Sequence, residues 1–272
     1  MQDLISVYKG TRKDIEKGYY VNYSGDIVKF SKEDKNNLRS DGNNCGVLSP
    51  DDRRFEDFPS TKIYVENIDF VDKAIQFSSN PDSIILNPAS DVMSGGGVRK
   101  GSRALEEILC RRSTLLPRLE IFSDAYGYYK PKLGETEAII SSGVEIFKDK
   151  DYSYLPETHE IDVITAAAPR RPELTPDKKY TKESEDLMKR KIRSVLRLAI
   201  IQGKCTLLLP AWGCGAFYNP AAEVARCFSE VFNEPEFKGA FDEICFAILD
   251  DHNATRVDNP EGNYIPFKRV FP

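Results

Sequence analysis

Short apolar runs alternate with helical patterns along most of this 272-residue chain, and this alternation constrains the fold more than any other feature. Each run is too short for a buried helix and is typical of a strand that is covered on both faces. The four clearest runs are residues 84–87, 161–167, 205–210 and 243–249. A longer strand or hairpin arm is predicted over residues 137–147, with a bend at 141–143.

Four segments with helical spacing lie between or beside these runs. They are residues 70–78, 104–116, 180–202 and 221–232. We expect Pro117 to end the second helix and Gly203 to end the third. This alternation predicts an α/β fold with helices on both faces of a central sheet. Residues 1–60 are less regular, and we interpret them as an N-terminal elaboration of a single domain spanning residues 1–272.

Two glycine-rich turns directly follow predicted buried strands. The first contains Gly95, Gly96 and Gly97, and the second spans residues 210–217. Because glycine has no Cβ, the backbone can approach a ligand closely, and successive free amides form an anion-binding concavity. Ligands of open α/β sheets lie at the carboxyl ends of the strands, so the two turns are predicted to hold the two sides of a pyrophosphate. The structural alternative is that the glycines only form tight turns.

The spacing of these glycines argues against two large classes of nucleotide-binding protein. Neither turn fits Gly-x-x-x-x-Gly-Lys-Ser/Thr, and the first does not fit Gly-x-Gly-x-x-Gly. A P-loop nucleoside triphosphatase and a dinucleotide oxidoreductase are therefore disfavoured. The chain has only two histidines, which argues against a zinc site built on histidines. We expect no metal and no cofactor.

Glu106 and Glu107 stand at the start of the second predicted helix, just after the triple glycine. Adjacent helix residues point about 100° apart, so both carboxylates cannot face one reacting atom. They are therefore not expected to be the facing acid and nucleophile of a retaining glycosidase. We expect one to point into the crevice and act, while the other supports it or meets solvent. The structural alternative is that both only stabilise the helix dipole.

Other side chains at the predicted strand ends fit a sugar or a base. Asn87 ends its strand, where it can hydrogen-bond a ribose hydroxyl or cap the following loop. Phe217 can form an apolar wall against a sugar or base, whereas Trp212 is expected in the core. The small residues at 165–169 leave room for a ligand or serve helix packing.

Charge and cysteine content limit the partners and the compartment. The formal net charge is -5, which argues against a broad basic surface for nucleic acid, and no sequence-specific nucleic-acid binding is expected. The six cysteines form no Cys-x-x-Cys pair and several lie in apolar runs, so we interpret them as free thiols in a reducing compartment. No apolar run approaches the roughly 20 residues that span a bilayer, and no signal peptide is recognised. We expect an intracellular monomer, cytoplasmic or nuclear, without membrane association.

Together, these motifs resemble the macrodomain family and, within it, the microbial-type poly(ADP-ribose) glycohydrolases. The family's triple glycine, short spacer and Gln-Glu-Glu correspond to Gly95–Gly97 and residues 105–107. Residues 87–90 are similar to its Asn-Phe-Ala segment, and residues 211–217 to its diphosphate-binding loop. The resemblance spans nearly the whole chain and implies a three-layer α/β/α fold with a mixed central sheet.

The resemblance also implies roles for individual residues. Glu107 would be the catalytic acid, with Glu106 beside it, and Phe217 would pack near the distal ribose. The triple glycine and residues 213–217 would hold the diphosphate of ADP-ribose. The residues expected to contact ADP-ribose are Asn87, Ala89, Ser90, Gly95, Gly96, Gly97, Val98, Ala168, Gly213, Cys214, Gly215, Ala216 and Phe217.

The expected activity is hydrolysis of the ribose–ribose O-glycosidic bond of poly(ADP-ribose), with ADP-ribose or an ADP-ribosylated protein as substrate. Such cleavage passes through an oxocarbenium-like state, which a buried carboxylic acid can assist by protonating the leaving oxygen. The chain departs from the family's motif at Leu105, where the family has Gln. Two alternatives remain open, a non-catalytic ADP-ribose reader and a hydrolase of mono-ADP-ribosyl adducts.

Overall fold

The structure is a computed structural model that describes residues 3–31, 35–53, 57–251 and 259–272. A seven-stranded mixed sheet lies between two layers of helices, which confirms the predicted α/β class. Within the predicted N-terminal elaboration, residues 1–2, 32–34 and 54–56 lie outside the described residues.

The strands of the main sheet run in the order β3-β6-β7-β5-β8-β9-β4. They are β3 (Asn37–Asp41), β4 (Lys62–Glu66), β5 (Ser83–Pro88), β6 (Glu137–Lys148), β7 (Tyr154–Ala166), β8 (Thr206–Leu209) and β9 (Glu243–Ala247). The five strands from β7 to β4 are parallel, whereas β6 and β3 run antiparallel to their neighbours. The bend predicted in β6 is confirmed: the register shifts between Ser141 and Val144, and Gly143 has φ 60°.

Seven α-helices are described around this sheet. They are α1 (Leu4–Lys17), α2 (Phe70–Phe77), α3 (Leu105–Arg112), α4 (Leu115–Glu120), α5 (Lys182–Ile201), α6 (Ala221–Phe232) and α7 (Tyr264–Val270). The predicted helices 70–78, 180–202 and 221–232 are thereby confirmed. None of the described helices is both long and apolar enough to cross a membrane.

Successive side chains of a strand point to opposite faces of the sheet, so the central strands contribute to a separate hydrophobic core on each face. Ile84 and Leu86 pack with α5, α6 and α7 on one face. Ile85 packs with α2, α3 and α4 on the other face. The continuous apolar runs in the sequence therefore reflect burial on both faces.

One predicted helix is wrong. Residues 104–116 form two helices instead of one, because the chain becomes extended at Ser113, with φ -145° and ψ 176°. Ser113 bridges to Ile146, and the Thr114 amide donates to the Glu145 carbonyl (3.0 Å), so pairing with β6 competes with helix formation there. Pro117 does not end a helix but lies in the first turn of α4, where its missing N–H costs nothing.

The N-terminal residues contribute more than an elaboration packed on the core. They supply α1 and a two-stranded hairpin of β1 (Tyr19–Val21) and β2 (Ile27–Lys29). They also supply β3, which pairs with β6 as an edge strand of the main sheet. The short, half-polar β3 lacks the apolar run that marks the central strands, and so the sequence did not reveal it.

Candidate active site

The carboxyl ends of β5, β7 and β8 lie side by side, because these three strands are parallel neighbours. The loop after β5 contains the triple glycine and is called here the first loop (residues 89–104). The loop after β8 is the second loop (residues 210–220). Both are tied to the end of β7, since the Ala89 amide and the Trp212 indole N–H each donate to the Ala166 carbonyl (2.9 and 3.2 Å).

In the first loop the backbone passes so close to two carboxylates that only glycine fits. Gly95 and Gly96 have φ values of 68° and 53°, the left-handed region that side chains disfavour. A Cβ on Gly96 would lie 2.5 Å from Glu107 Oε1 and 2.9 Å from Glu106 Oε2. Gly96 is therefore required by the two glutamates of α3 before any ligand is considered, whereas a Cβ at Gly95 would meet Leu116 and one at Gly97 would meet Ser102.

Glu106 holds the first loop from beneath. Its Oε1 accepts from the Gly95 amide (3.1 Å) and its Oε2 from the Ser90 amide (2.8 Å), so both oxygens are engaged. The residue is 3% exposed, and this burial, reinforced by the neighbouring Glu107 charge, raises the pKa of Glu106 well above its ordinary value. Glu106 is thus suited to a supporting role.

Glu107 differs from its neighbour in one respect that matters for chemistry. Its Oε1 accepts from the Gly97 amide (2.8 Å), but its Oε2 is buried and has no hydrogen-bond partner among the described residues. A buried polar atom without a partner is costly and calls for an explanation. Glu107 therefore has one oxygen fixed by the loop and one whose hydrogen-bonding capacity is unused among the described residues.

One detail of the predicted site is wrong. The amides of Gly95 and Gly97 are not free for an anion, because they donate to the glutamates, and the Gly96 amide donates to the Met93 carbonyl (3.1 Å). Of the two alternatives for the second glutamate, support of the loop fits Glu106 and contact with solvent does not, since Glu106 is only 3% exposed. The carboxylates fold back on the loop because they begin a helix immediately behind it.

A set of charged residues that the sequence did not reveal braces the first loop. Arg99 donates to the Ser94 carbonyl (2.8 Å) and to Glu120 Oε1 (2.5 Å). Glu120 also accepts from Arg12 of α1 (2.7 Å). The Ser94 amide donates to the Gly127 carbonyl (2.9 Å), and the Arg99 guanidinium occupies the space that a Cβ on Gly127 would need. The Arg12–Glu120 contact connects positions 108 residues apart, for which no local sequence signal exists.

The other end of α3 is tied to α1. The Thr11 hydroxyl donates to the Arg111 carbonyl (2.7 Å) and accepts from the Lys148 ammonium (2.8 Å). Lys148 is buried beside the Tyr154 ring, 4.9 Å from its centroid, and this burial lowers the pKa of Lys148 to about 8. The N-terminal helix therefore supports the element that carries both glutamates.

Asn219 shapes the second loop, and sequence reasoning missed it. Its side-chain amide donates to the carbonyls of Pro169 (2.7 Å) and Gly213 (3.0 Å), and its Oδ1 accepts from the Tyr180 hydroxyl (2.7 Å). Gly213 has φ 76°, and a Cβ there would lie 2.5 Å from both Asn219 Nδ2 and Ala168 Cβ. This glycine therefore serves close packing between the loops after β7 and β8.

The second loop presents backbone donors. The amides of Ala216 and Phe217 find no acceptor among the described residues, and Ala216 is exposed. Phe217 is half-buried against the larger core. Cys214, by contrast, is fully buried and packs in the larger core. The arrangement fits an anion lying along the loop.

The remaining predicted residues lie mostly below the surface at the strand ends. Asn87 is fully buried, donates to the Thr165 hydroxyl (3.2 Å) and leaves its Oδ1 without a partner among the described residues. The Ser90 hydroxyl accepts from the Val92 and Met93 amides. The side chains of Ala89, Val98 and Ala168 are buried, Val98 in the core with α2 and α3. A separate cavity of about 660 Å³ lies at the opposite edge of the sheet, near Thr61 and Phe241, and contains none of the predicted site residues.

The model of the microbial-type PARG catalytic domain matches residues 9–149, more than half of the chain. This segment contains the first loop and both glutamates. The chain belongs to the microbial-type PARG family. The second loop lies beyond the matched segment, so its likeness to the family rests on solved structures.

Solved PARG structures are similar to this chain over nearly its full length. Poly(ADP-ribose) glycohydrolase from Thermomonospora curvata, bound to the inhibitor ADP-HPD, matches with a TM-score of 0.82 and 25% identity, covering 98% of this chain and 99% of that one. A second structure of the Thermomonospora enzyme gives 0.81 and 26% over the same shares. The Deinococcus radiodurans enzyme in complex with ADP-ribose gives 0.68 and 26%, covering 86% and 93%. No curated protein sequence matches significantly.

Proposed function

We propose that this PARG-family protein is a poly(ADP-ribose) glycohydrolase that releases ADP-ribose, with Glu107 as its general acid and base. The single observation that carries the catalytic assignment is the buried, unpartnered Oε2 of Glu107 beside an Oε1 fixed by the Gly97 amide. A carboxyl held in this way is preorganised, since only one oxygen is left to face a substrate.

The substrate is placed by the two loops. The amides of Ala216 and Phe217 bind the diphosphate, because exposed backbone donors at a glycine-rich turn favour an anion. Asn87 Oδ1 accepts from a ribose hydroxyl, and Phe217 packs on the distal sugar. The anomeric carbon then faces Glu107, which supplies a positioning effect. The amides of the triple glycine, Ala89, Ser90 and Val98 are engaged within the protein, so these residues and Ala168 shape the site without donating to the substrate.

Cleavage follows the chemistry of glycosidic bonds. Glu107 Oε2 donates a proton to the leaving ribose oxygen as the C–O bond breaks and an oxocarbenium-like centre develops. The resulting carboxylate activates water, which adds to the anomeric carbon and returns the proton to Glu107. Burial keeps Glu106 protonated more readily than an ordinary glutamate, so a charged Glu107 meets less repulsion from its neighbour.

Glu107→Gln tests this assignment. The amide keeps the shape of the side chain but cannot donate a carboxyl proton, so we expect release of ADP-ribose from poly(ADP-ribose) to fall about 1,000-fold. Affinity for ADP-ribose, measured by calorimetry, should change by less than about threefold, because the diphosphate donors lie in the second loop. Product release is followed by chromatography at saturating polymer.

Glu183→Gln is the matched control. Glu183 is an exposed glutamate in the first turn of α5, the same kind of helix position, and its loss should leave turnover unchanged. Normal turnover in Glu107→Gln would refute the role of Glu107. Tight ADP-ribose binding by the wild type without any hydrolysis would instead identify a reader, and hydrolysis restricted to mono-ADP-ribosylated protein would identify a different substrate.

We further propose that residues 1–272 act as one monomeric catalytic domain in a reducing intracellular compartment, cytoplasmic or nuclear. All six cysteines are free thiols and five of them are buried, which supports a compartment without disulfide formation. The N-terminal contribution of β3 to the main sheet supports a single folding unit. Light scattering of the purified chain, with and without reductant, measures both properties.

A further inference from the structure

Two arginines of the loop after β7 lie against the second loop. The Arg170 guanidinium carbon is 5.6 Å from the centroid of the Phe217 ring, and that of Arg171 is 4.9 Å from the Tyr218 ring. The Arg171 amide also donates to the Phe217 carbonyl (2.8 Å). Cation–π contacts of this kind hold a guanidinium in place without neutralising its charge.

The backbone at this junction is unusual on both sides. Arg171 has φ 51° and Tyr218 has φ 63°, although neither is a glycine. Left-handed backbone is disfavoured for residues with a Cβ and persists where surrounding contacts impose it, often at binding sites. These two residues lie on either side of the Arg171–Phe217 hydrogen bond, so the loops impose the backbone here, and the ring contacts place the two guanidinium groups.

In the part of the chain that the structure describes, the charges of these arginines are not balanced by ion pairs. Within the described residues, no carboxylate lies within ion-pair distance of Arg170 or Arg171, and neither guanidinium makes a hydrogen bond. Both residues are exposed. Other arginines, such as Arg193 and Arg226, are paired with carboxylates. In a chain of net charge -5, two fixed and uncompensated cations mark a local site for an anion.

The place of these cations argues for an anion other than the one held by the second loop. Phe217 is half-buried against the core, whereas Arg170, whose guanidinium packs on its ring, is exposed, so this charge is open to solvent beside the second loop. A single ADP-ribose carries only the one diphosphate, which the amides of Ala216 and Phe217 bind. A poly(ADP-ribose) chain brings a further diphosphate with each unit, and guanidinium groups suit phosphate oxygens.

We propose that Arg170 and Arg171 form a second anion subsite, which binds the diphosphate of the ADP-ribose unit adjoining the one that is cleaved. This inference rests on the proposed function, and it adds to it a preference for polymer over free ADP-ribose or a single adduct. The subsite acts through binding alone and takes no part in bond cleavage.

The test compares two probes, an ADP-ribose oligomer and free ADP-ribose, in the Glu107→Gln background so that the oligomer stays intact. The variant carries Arg170→Gln and Arg171→Gln together. We expect its affinity for the oligomer to fall about tenfold, the sum of two partly exposed arginine–phosphate contacts. Its affinity for free ADP-ribose should stay within about twofold, since the amides of the second loop are untouched.

Two further variants serve as controls for this comparison. Lys179→Gln removes one positive charge from the same loop, where Lys179 is already paired with Asp177, and it should leave both affinities unchanged. Arg171→Gly removes the side chain but adopts the left-handed backbone easily, so it keeps the loop intact and should lower oligomer affinity alone. Salt should weaken oligomer binding more steeply in the parent than in the double variant.

The outcomes separate the two proposals. Unchanged oligomer affinity in the double variant overturns the subsite, and an equal loss for both probes also overturns it, because the arginines would then hold the first diphosphate. Release of ADP-ribose by the wild type is measured separately. No release together with arginine-dependent oligomer binding would refute the glycohydrolase and leave the subsite standing, whereas release without any effect of the arginines would refute only the subsite.

Discussion

The first and second loops look alike in the sequence but present opposite chemistry in the structure. Both are glycine-rich turns after a buried parallel strand. In the first loop the amides of Gly95 and Gly97 are engaged by carboxylates. In the second loop the amides of Ala216 and Phe217 find no acceptor among the described residues. The same local composition therefore holds an acid in one place and donors for an anion in the other.

This division has a simple electrostatic reason. Two carboxyl groups beneath the first loop make it a poor place for a diphosphate, because like charges at short range repel strongly in a poorly solvated site. The proposed site therefore has its phosphate donors on the second loop, away from these carboxyl groups. The two loops also differ in support, since charged side chains brace the first and the neutral Asn219 amide holds the second.

Gly96→Ala should have the largest effect on activity, because it displaces the first loop. The new Cβ would meet both carboxylates of α3 at a residue with φ 53°, so the loop and Glu107 cannot both keep their positions. We expect kcat to fall about 100-fold or more, since a shift near 1 Å in a catalytic group has effects of this size. Steady-state kinetics on poly(ADP-ribose) measures the change.

Gly10→Ala is the control for this substitution. Gly10 lies in α1, and a Cβ there would meet nothing within 4 Å, so activity should be retained and stability slightly increased. If Gly96→Ala were fully active, the close approach of the loop to the glutamates would not be required for catalysis.

Asn219→Ala should disturb the second loop and thereby lower the affinity for ADP-ribose more than it lowers kcat. The substitution removes three hydrogen bonds and leaves the Pro169 carbonyl and the Tyr180 hydroxyl without a buried partner. We expect the affinity for ADP-ribose to fall about tenfold and kcat to change by less than about threefold. Calorimetry gives the affinity and initial rates at saturation give kcat.

Asn233→Ala provides the comparison for Asn219. Asn233 is an exposed asparagine at the end of α6 whose amide donates to the Ser229 carbonyl (2.7 Å), remote from both loops in its contacts. Its loss should leave ADP-ribose affinity unchanged. A fall in kcat without a change in affinity for Asn219→Ala would contradict the assignment of binding to the second loop.

Lys148→Met should have the smallest effect on activity and a distinct effect on stability. Below pH 8 the ammonium is charged in both states, and its burial lowers stability. Between about 8 and the usual 10.5 the folded protein loses this proton while the unfolded chain keeps it, so the wild-type free energy of unfolding gains up to about 3 kcal/mol with rising pH. The methionine variant should lack this rise.

Urea unfolding at a series of pH values measures the difference between Lys148→Met and the wild type. Turnover at pH 7.5 should stay within about twofold, because Lys148 supports α3 only through Thr11. Parallel pH profiles of stability in the two proteins would show that Lys148 does not titrate in this range.

Much of the fold was predictable because its signals are local. The central strands are short apolar runs, and α2, α5 and α6 have helical spacing, so composition and period sufficed. The edge strands β3 and β4 were missed, since half-exposed strands lack a continuous apolar run. The split between α3 and α4 was missed because pairing of Ser113 with β6 overrides helical spacing.

The residues of the candidate site also fall into those that local sequence signals identify and those that they do not. The glycines, the adjacent glutamates and Asn87 stand at strand ends, and residue type and position were enough to select them. Arg99, Glu120 and Asn219 were not selected, because each acts through a contact with a residue distant in the chain. The pairing of Arg170 and Arg171 with the second loop also lacks a sequence signal.

By itself, the sequence determined which residues can do chemistry here: a triple glycine, two early-helix glutamates and a second glycine-rich turn after parallel strands. Only the tertiary structure decided which of the two loops binds carboxylates and which keeps its amides available. Whether an amide meets a carboxylate or stays available for a phosphate depends on how α3 packs behind the first loop and how Asn219 holds the second. Such contacts are set by packing between distant segments, which residue type and spacing do not encode.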